Sequence, residues 1–176
     1  MAGSLVLIDS ETASSSATIT LGTTDWDSSY DVYMVVINDV TPATDDQALY
    51  MKLNKASDNS THDASNYDYV QHTLKTYSDY EENERQDGGR FKITDQEIGT
   101  GTSETANGVL YLFNFNNASE YSYITMEMTC FDDSGHLHGN QGAGSLTVAQ
   151  ATNGVTFEMG SGNIASGNFK LYGLKK

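Results

Sequence analysis

His136-Leu137-His138 places two imidazoles on one face of an extended segment, with Asp132 and Asp133 just upstream. Imidazole and carboxylate together form a partial ligand set for zinc or another divalent cation. Spacing supplies no third ligand, and the surrounding Gly135-His136-Leu137-His138-Gly139-Asn140-Gln141-Gly142 is rich in glycine. We read it as an exposed polar loop and expect no metal or other cofactor. Asp25-Trp26-Asp27 with Asp31 brings three carboxylates close together, as calcium loops do. The regular Asp-x-Asp-x-Asp-Gly pattern with a distant Glu is absent, so these residues read as turn formers flanking a buried Trp26. Glu81, Glu82 and Glu84 could serve as paired carboxylates for glycoside hydrolysis, but they sit in a charged run beside Arg85 and read as a solvated face. The single cysteine, Cys130, lies in an apolar run and reads as a small buried hydrophobe. No Gly-x-Ser-x-Gly elbow and no Gly-Lys-Ser/Thr phosphate loop is present. No nucleophile and base stand at a recognisable spacing, so we expect a protein that binds and does not catalyse.

The eleven tyrosines point to binding. Tyr67, Tyr69, Tyr77 and Tyr80 crowd one polar stretch, and a phenol offers an apolar body with a polar tip, which suits interfaces. These four are the candidate partner-contacting residues.

The net charge of −15, from 24 acidic and 9 basic residues, repels phosphate backbones and anionic membranes, so neither nucleic acid nor membrane is an expected partner. No apolar run approaches the roughly 20 residues of a membrane helix. The N-terminal Met1-Ala2-Gly3-Ser4 lacks the basic region and apolar core of a secretory signal, so synthesis in the cytoplasm of the producing cell is expected.

Short β-prone runs divided by Gly, Asn and Asp turns must position these residues. The runs are Ser4 to Ile8, Ala17 to Leu21, Tyr30 to Val40, Ala48 to Leu53, Tyr67 to Tyr77, Phe91 to Ile93 with Glu97-Ile98, Val109 to Phe115, Tyr121 to Phe131, Ser145 to Ala149, Gly154 to Met159 and Asn168 to Tyr172. Asp39 to Pro42 reads as a turn, and Ser78 to Arg90 and Gly135 to Gly144 as loops. In Tyr67 to Tyr77 the residues Tyr67, Tyr69, Gln71, Thr73, Lys75 and Tyr77 share one face. About ten strands and no amphipathic helix give an all-β fold, a single antiparallel, jelly-roll-like sandwich over residues 1–176.

The C-terminal stretch Gly160-Ser161-Gly162-Asn163-Ile164-Ala165-Ser166-Gly167-Asn168-Phe169-Lys170-Leu171-Tyr172-Gly173-Leu174-Lys175 resembles the terminus of jelly-roll proteins on phage particles, where such a loop precedes a closing strand. The resemblance covers about the last fifth of the chain. Its glycines suit positive φ, its Phe169 and Leu171 face the core, and Lys175 and Lys176 stay exposed. It implies a virion structural protein, an outer-capsid decoration or cement protein, with a tail-fibre or receptor-binding module that contacts carbohydrate as the alternative. The first strand begins near Ser4, leaving no fibre-attachment region before it, which favours decoration. Expected partners are the major capsid protein or tail proteins and further copies of the chain in a closed homo-oligomer, a trimer among the options.

Overall fold

The computed structural model describes the backbone of residues 4–175 and the side chains of residues 4–174. The expected exposure of Lys175 and Lys176 falls outside the described side chains. Twelve strands run through the described residues: β1 Ser4–Ser16, β2 Ile19–Gly22, β3 Val32–Pro42, β4 Leu49–Lys55, β5 Tyr67–Lys75, β6 Glu81–Gly88, β7 Phe91–Lys92, β8 Ala106–Phe113, β9 Ser122–Phe131, β10 Leu137–Leu146, β11 Thr152–Met159 and β12 Ile164–Lys175. They form an eight-stranded sheet, in the order β1-β12-β3-β8-β9-β10-β5-β6, over a four-stranded sheet, in the order β2-β11-β4-β7. Every pairing is antiparallel. The pairings β1 with β12, β2 with β11, β5 with β10 and β8 with β9 nest inside one another, as in a jelly roll.

Alternation drives this arrangement. In β9, Ile124, Met126, Met128 and Cys130 are buried while Tyr123, Thr125, Glu127 and Thr129 face outward. Leu49, Met51 and Leu53 of β4 and Val155 and Phe157 of β11 answer from the small sheet. Phe157 and Phe169 meet across the sandwich with ring centroids 5.0 Å apart. Phe169 and Leu171 of β12 are fully buried, as the closing motif implies. Positive φ occurs at Gly162 (73°) and Gly167 (139°), but not at Gly160.

Three sequence readings need correction. Asp39 to Pro42 is not a turn: β3 runs through it, with a bulge where Asp39 takes φ 53° and the pairing with β8 slips between Ile37 and Val40. Ser78 to Arg90 is not a loop: it holds β6, the outer edge strand, whose acidic side chains are exposed and so show no apolar alternation. The stretch from Gly135 to Gly144 is not a loop either: most of it is β10, paired on both sides, and the expected strand Ser145 to Ala149 is only its end. Glycine is needed at position 144 because Phe91 packs against the strand; a Cβ there would lie 2.6 Å from the Phe91 ring.

The large sheet has more strands than the small one, so irregular chain after β7 covers part of its inner face. Buried irregular backbone leaves carbonyls in need of donors. The inner face turns polar to supply them: Gln71 donates to the Lys92 carbonyl at 2.7 Å and Asn140 to the Ile93 carbonyl at 3.1 Å. Thr73 donates to the Asp95 carboxylate at 2.7 Å.

Candidate contact surface

Opposite that polar interior lies the outward face of the eight-stranded sheet, and strand register fixes which side chains share it. One row crosses the sheet as Leu7, Tyr172, Met34, Tyr111, Thr125, Ala143, Val70 and Glu84. The next reads Ser10, Lys170, Val36, Val109, Glu127, Gln141, His72 and Glu82. The face thus grades from aliphatic and aromatic on β1, β12, β3 and β8 to acidic on β6.

Over β10 the surface sinks, because the outward residues Gly139, Gln141, Ala143 and Ser145 are short or slender. Tyr123 and Glu127 on β9 wall the trough on one side, and Val70, His72 and Leu74 on β5 on the other. Three adjoining hollows of about 440, 620 and 430 Å³ follow it. From Gly139 to Ser145 it runs on the order of 20 Å. Carboxylates, amides and one exposed phenol along an open trough can hydrogen-bond and stack on a ligand; no nucleophile is lined up with a base there.

The tyrosine stretch does not form one surface. Tyr67 must be withdrawn from the contact residues: it points inward and is fully buried, its ring 4.8 Å from Phe91 in an edge-on contact. Tyr69 also faces inward and is half-buried, and burial pushes its phenol pKa up. Tyr80 is 62 % exposed and packs edge-on against His72, 4.7 Å away, at the margin of the trough. Tyr77 stands apart at one end of the sheet, its ring 4.1 Å from that of His136. The sequence reading missed Val70 and Leu74, both more than half exposed; their alternation with the tyrosines shows in the sequence, but not that theirs is the outward face.

The two histidines close on a carboxylate. His136 Nδ1 and His138 Nε2 lie 3.1 and 2.9 Å from Asp132 Oδ2, and the backbone N–H groups of His136 and Ser134 donate to Oδ1. The candidate metal pair is thereby engaged with its own neighbour. Among the described residues no group of three or more His, Cys, Asp or Glu is placed to hold a metal ion. Burial alone would raise the Asp132 carboxyl. The His136 N–H, the His138 and His136 rings and the Ser134 N–H outweigh burial and hold it down at about 2. A carboxyl whose folded value lies below the unfolded value of about 4 adds stability above about pH 4 and loses it as the pH falls through its folded value. Urea midpoints are therefore expected to drop between pH 4 and pH 2 more steeply in the wild type than in Asp132→Asn. Parallel pH profiles would refute the assignment.

The remaining chemical candidates sit in packed, turn and edge positions. Cys130 is buried, which pushes its thiol up to about 12, and so it is no thiolate nucleophile near neutral pH. Trp26 is partly buried against Tyr33 and Phe115 and donates from Nε1 to Asn116 at 2.8 Å. Asp27 accepts from the Ser29 N–H, a turn bond. Glu81, Glu82 and Glu84 line the β6 edge, where acidic side chains discourage further strand pairing.

No protein-family profile matches this sequence, and neither a curated protein nor a solved structure matches it.

Proposed function

We propose that this chain is a structural protein of a bacteriophage particle, an outer-capsid decoration or cement protein that acts by surface contact. The observation that carries the reading is the graded outward face: a broad, regular sheet surface, apolar at one side and acidic at the other, on a strongly acidic chain. The C-terminal resemblance supports it, since that stretch forms β12, an interior strand of the same sheet. The major capsid protein would meet the acidic side around Glu82, Glu84 and Tyr80 through basic residues of its own, and that binding would weaken with salt. The protein would be made in the host cytoplasm and end in the virion, without nucleic-acid or membrane contact.

Counting copies per purified particle tests this. Hundreds of copies, together with weaker particle binding by a folded Glu82→Lys, Glu84→Lys variant at low salt, are expected. Absence from the particle overturns the proposal. A count of a few or a few dozen moves the protein to the tail. One observation favours that second reading, a receptor-binding module: the β10 trough, whose mix of Tyr123, His72, Gln141 and Glu127 suits stacking and hydrogen bonding to a sugar.

A further inference from the structure

We propose that the apolar side of the outward face packs against the same face of a second copy of this chain. The inference rests on reading that face as the protein's contact surface, and it names the occupant of one side. Leu7, Tyr172, Met34 and Tyr111 lie in one row across β1, β12, β3 and β8, and Val36 pairs with Val109 in the next. Val32, Phe113 and Tyr123 extend the patch in the opposite direction. Leu7 is 53 % exposed and the paired residues further in are half-buried, so these side chains end in solvent. At strand spacing the patch covers roughly 20 Å by 15–20 Å, about 300–400 Å². A patch of that size on a monomer commonly marks a contact site. With a polar rim it would serve as the core of an interface of about 800 Å² per partner.

Charge selects the occupant. The chain carries 24 acidic and 9 basic residues, yet on the outward positions of β3, β8, β12 and the first half of β1 the charged side chains described are Lys170 and Asp39, the latter at the β3 bulge beyond the patch. A different protein that recognised an acidic chain by charge would use the β6 side, where Glu82 and Glu84 stand. Two copies, each at −15, repel one another, so they meet most favourably where neither presents carboxylates and apolar burial is available. Packing about a two-fold axis needs a single self-complementary surface. Two sheets stacked face to face at about 10 Å provide that geometry. The contact would also shield the Leu5-Val6-Leu7 stretch of β1, an edge strand whose carboxylates, Asp9 and Glu11, come only further along.

Sedimentation equilibrium of the full chain reads the result directly. The expected mass is that of an assembly of 19.1 kDa subunits, a dimer for the two-fold arrangement, and salt that screens the mutual repulsion should tighten it. Tyr111→Glu should weaken association at least tenfold while the circular dichroism stays that of a β protein. If Tyr111→Glu does not fold, the milder Leu7→Ser, Tyr172→Ser pair at the patch margin should still weaken it. A wild type that stays monomeric at about 100 µM overturns the proposal, as does an assembly that the folded variants leave intact. These results are independent of copy number: association without particle binding would sink the virion reading alone, and a monomer found in hundreds of copies on capsids would sink the self-contact alone.

Discussion

A chain that lacks residues 168–176 is expected to be insoluble or unfolded. The deleted residues form most of β12, which is an interior strand with β1 on one side and β3 on the other. Register pairs Phe169 with Glu11 and Ile37, and Leu171 with Asp9 and Val35. Removing it strips β1 of its strand partner and bares the edge of β3 together. Phe169 and Leu171 are fully buried, and Phe169 lies against Phe157 of the opposite sheet. Truncating one such side chain to alanine costs about 2–5 kcal/mol, against a total stability of about 5–15 kcal/mol for a domain. Losing both side chains and two ladders exceeds that margin. Phe169→Ala alone should cost about 3–5 kcal/mol, while Lys170→Ala, whose side chain is exposed, should stay within about 0.5 kcal/mol. Soluble yield, far-ultraviolet circular dichroism and thermal melting report the outcome. A truncated chain that melts with the wild type would mean that β12 is dispensable.

The ease of reading β12 and β9 from sequence has a physical origin. Each separates a sealed core from solvent, so apolar and polar residues alternate, and Phe169, Leu171, Ile124 and Met126 fall on the buried side as their spacing requires. Where the inner face is not apolar, the pattern misleads. In β5 the buried side chains include Gln71 and Thr73, which serve the irregular chain after β7, while Val70 and Leu74 face outward. The polarity of that strand is inverted, and no local pattern announces it, because the reason lies in the segment Lys92 to Asp95 packed above. β10 hid for a related reason. Its Gly144 accommodates Phe91, a contact set by tertiary packing, whereas glycine read locally suggests a loop. β6 lacks apolar residues because it closes the sheet edge. The contact surface was therefore half legible: Tyr80 was found, and the graded rows emerge only once register is known.

Tyr67 carries the second large expectation, one that follows from the inverted strand. β7 pairs with β4 only at Tyr50 and Met51, so it stops short of Leu53. The Leu53 N–H is then buried without a strand partner, and the Tyr67 hydroxyl takes that place, accepting from Leu53 N at 3.1 Å and donating to the His62 carbonyl at 2.8 Å. Burial pushes the phenol pKa well up, so it keeps its proton and continues to donate. Tyr67→Phe keeps the ring against Phe91 but leaves a donor and an acceptor unpaired, which should cost about 1–3 kcal/mol. Tyr67→Ala also opens a cavity and should cost about 3–5 kcal/mol, as large aromatic truncations do. Tyr80→Ala, at an exposed position, should shift stability by no more than about 0.5 kcal/mol. Urea unfolding of the three variants separates a core tyrosine from a contact tyrosine. If Tyr67→Ala unfolds at the wild-type midpoint, the ring is not part of the core. With the expected order, loss of particle binding in a variant that lacks Tyr67 would report a weakened core, and among the tyrosines of this stretch the Tyr80 substitution would probe the contact itself.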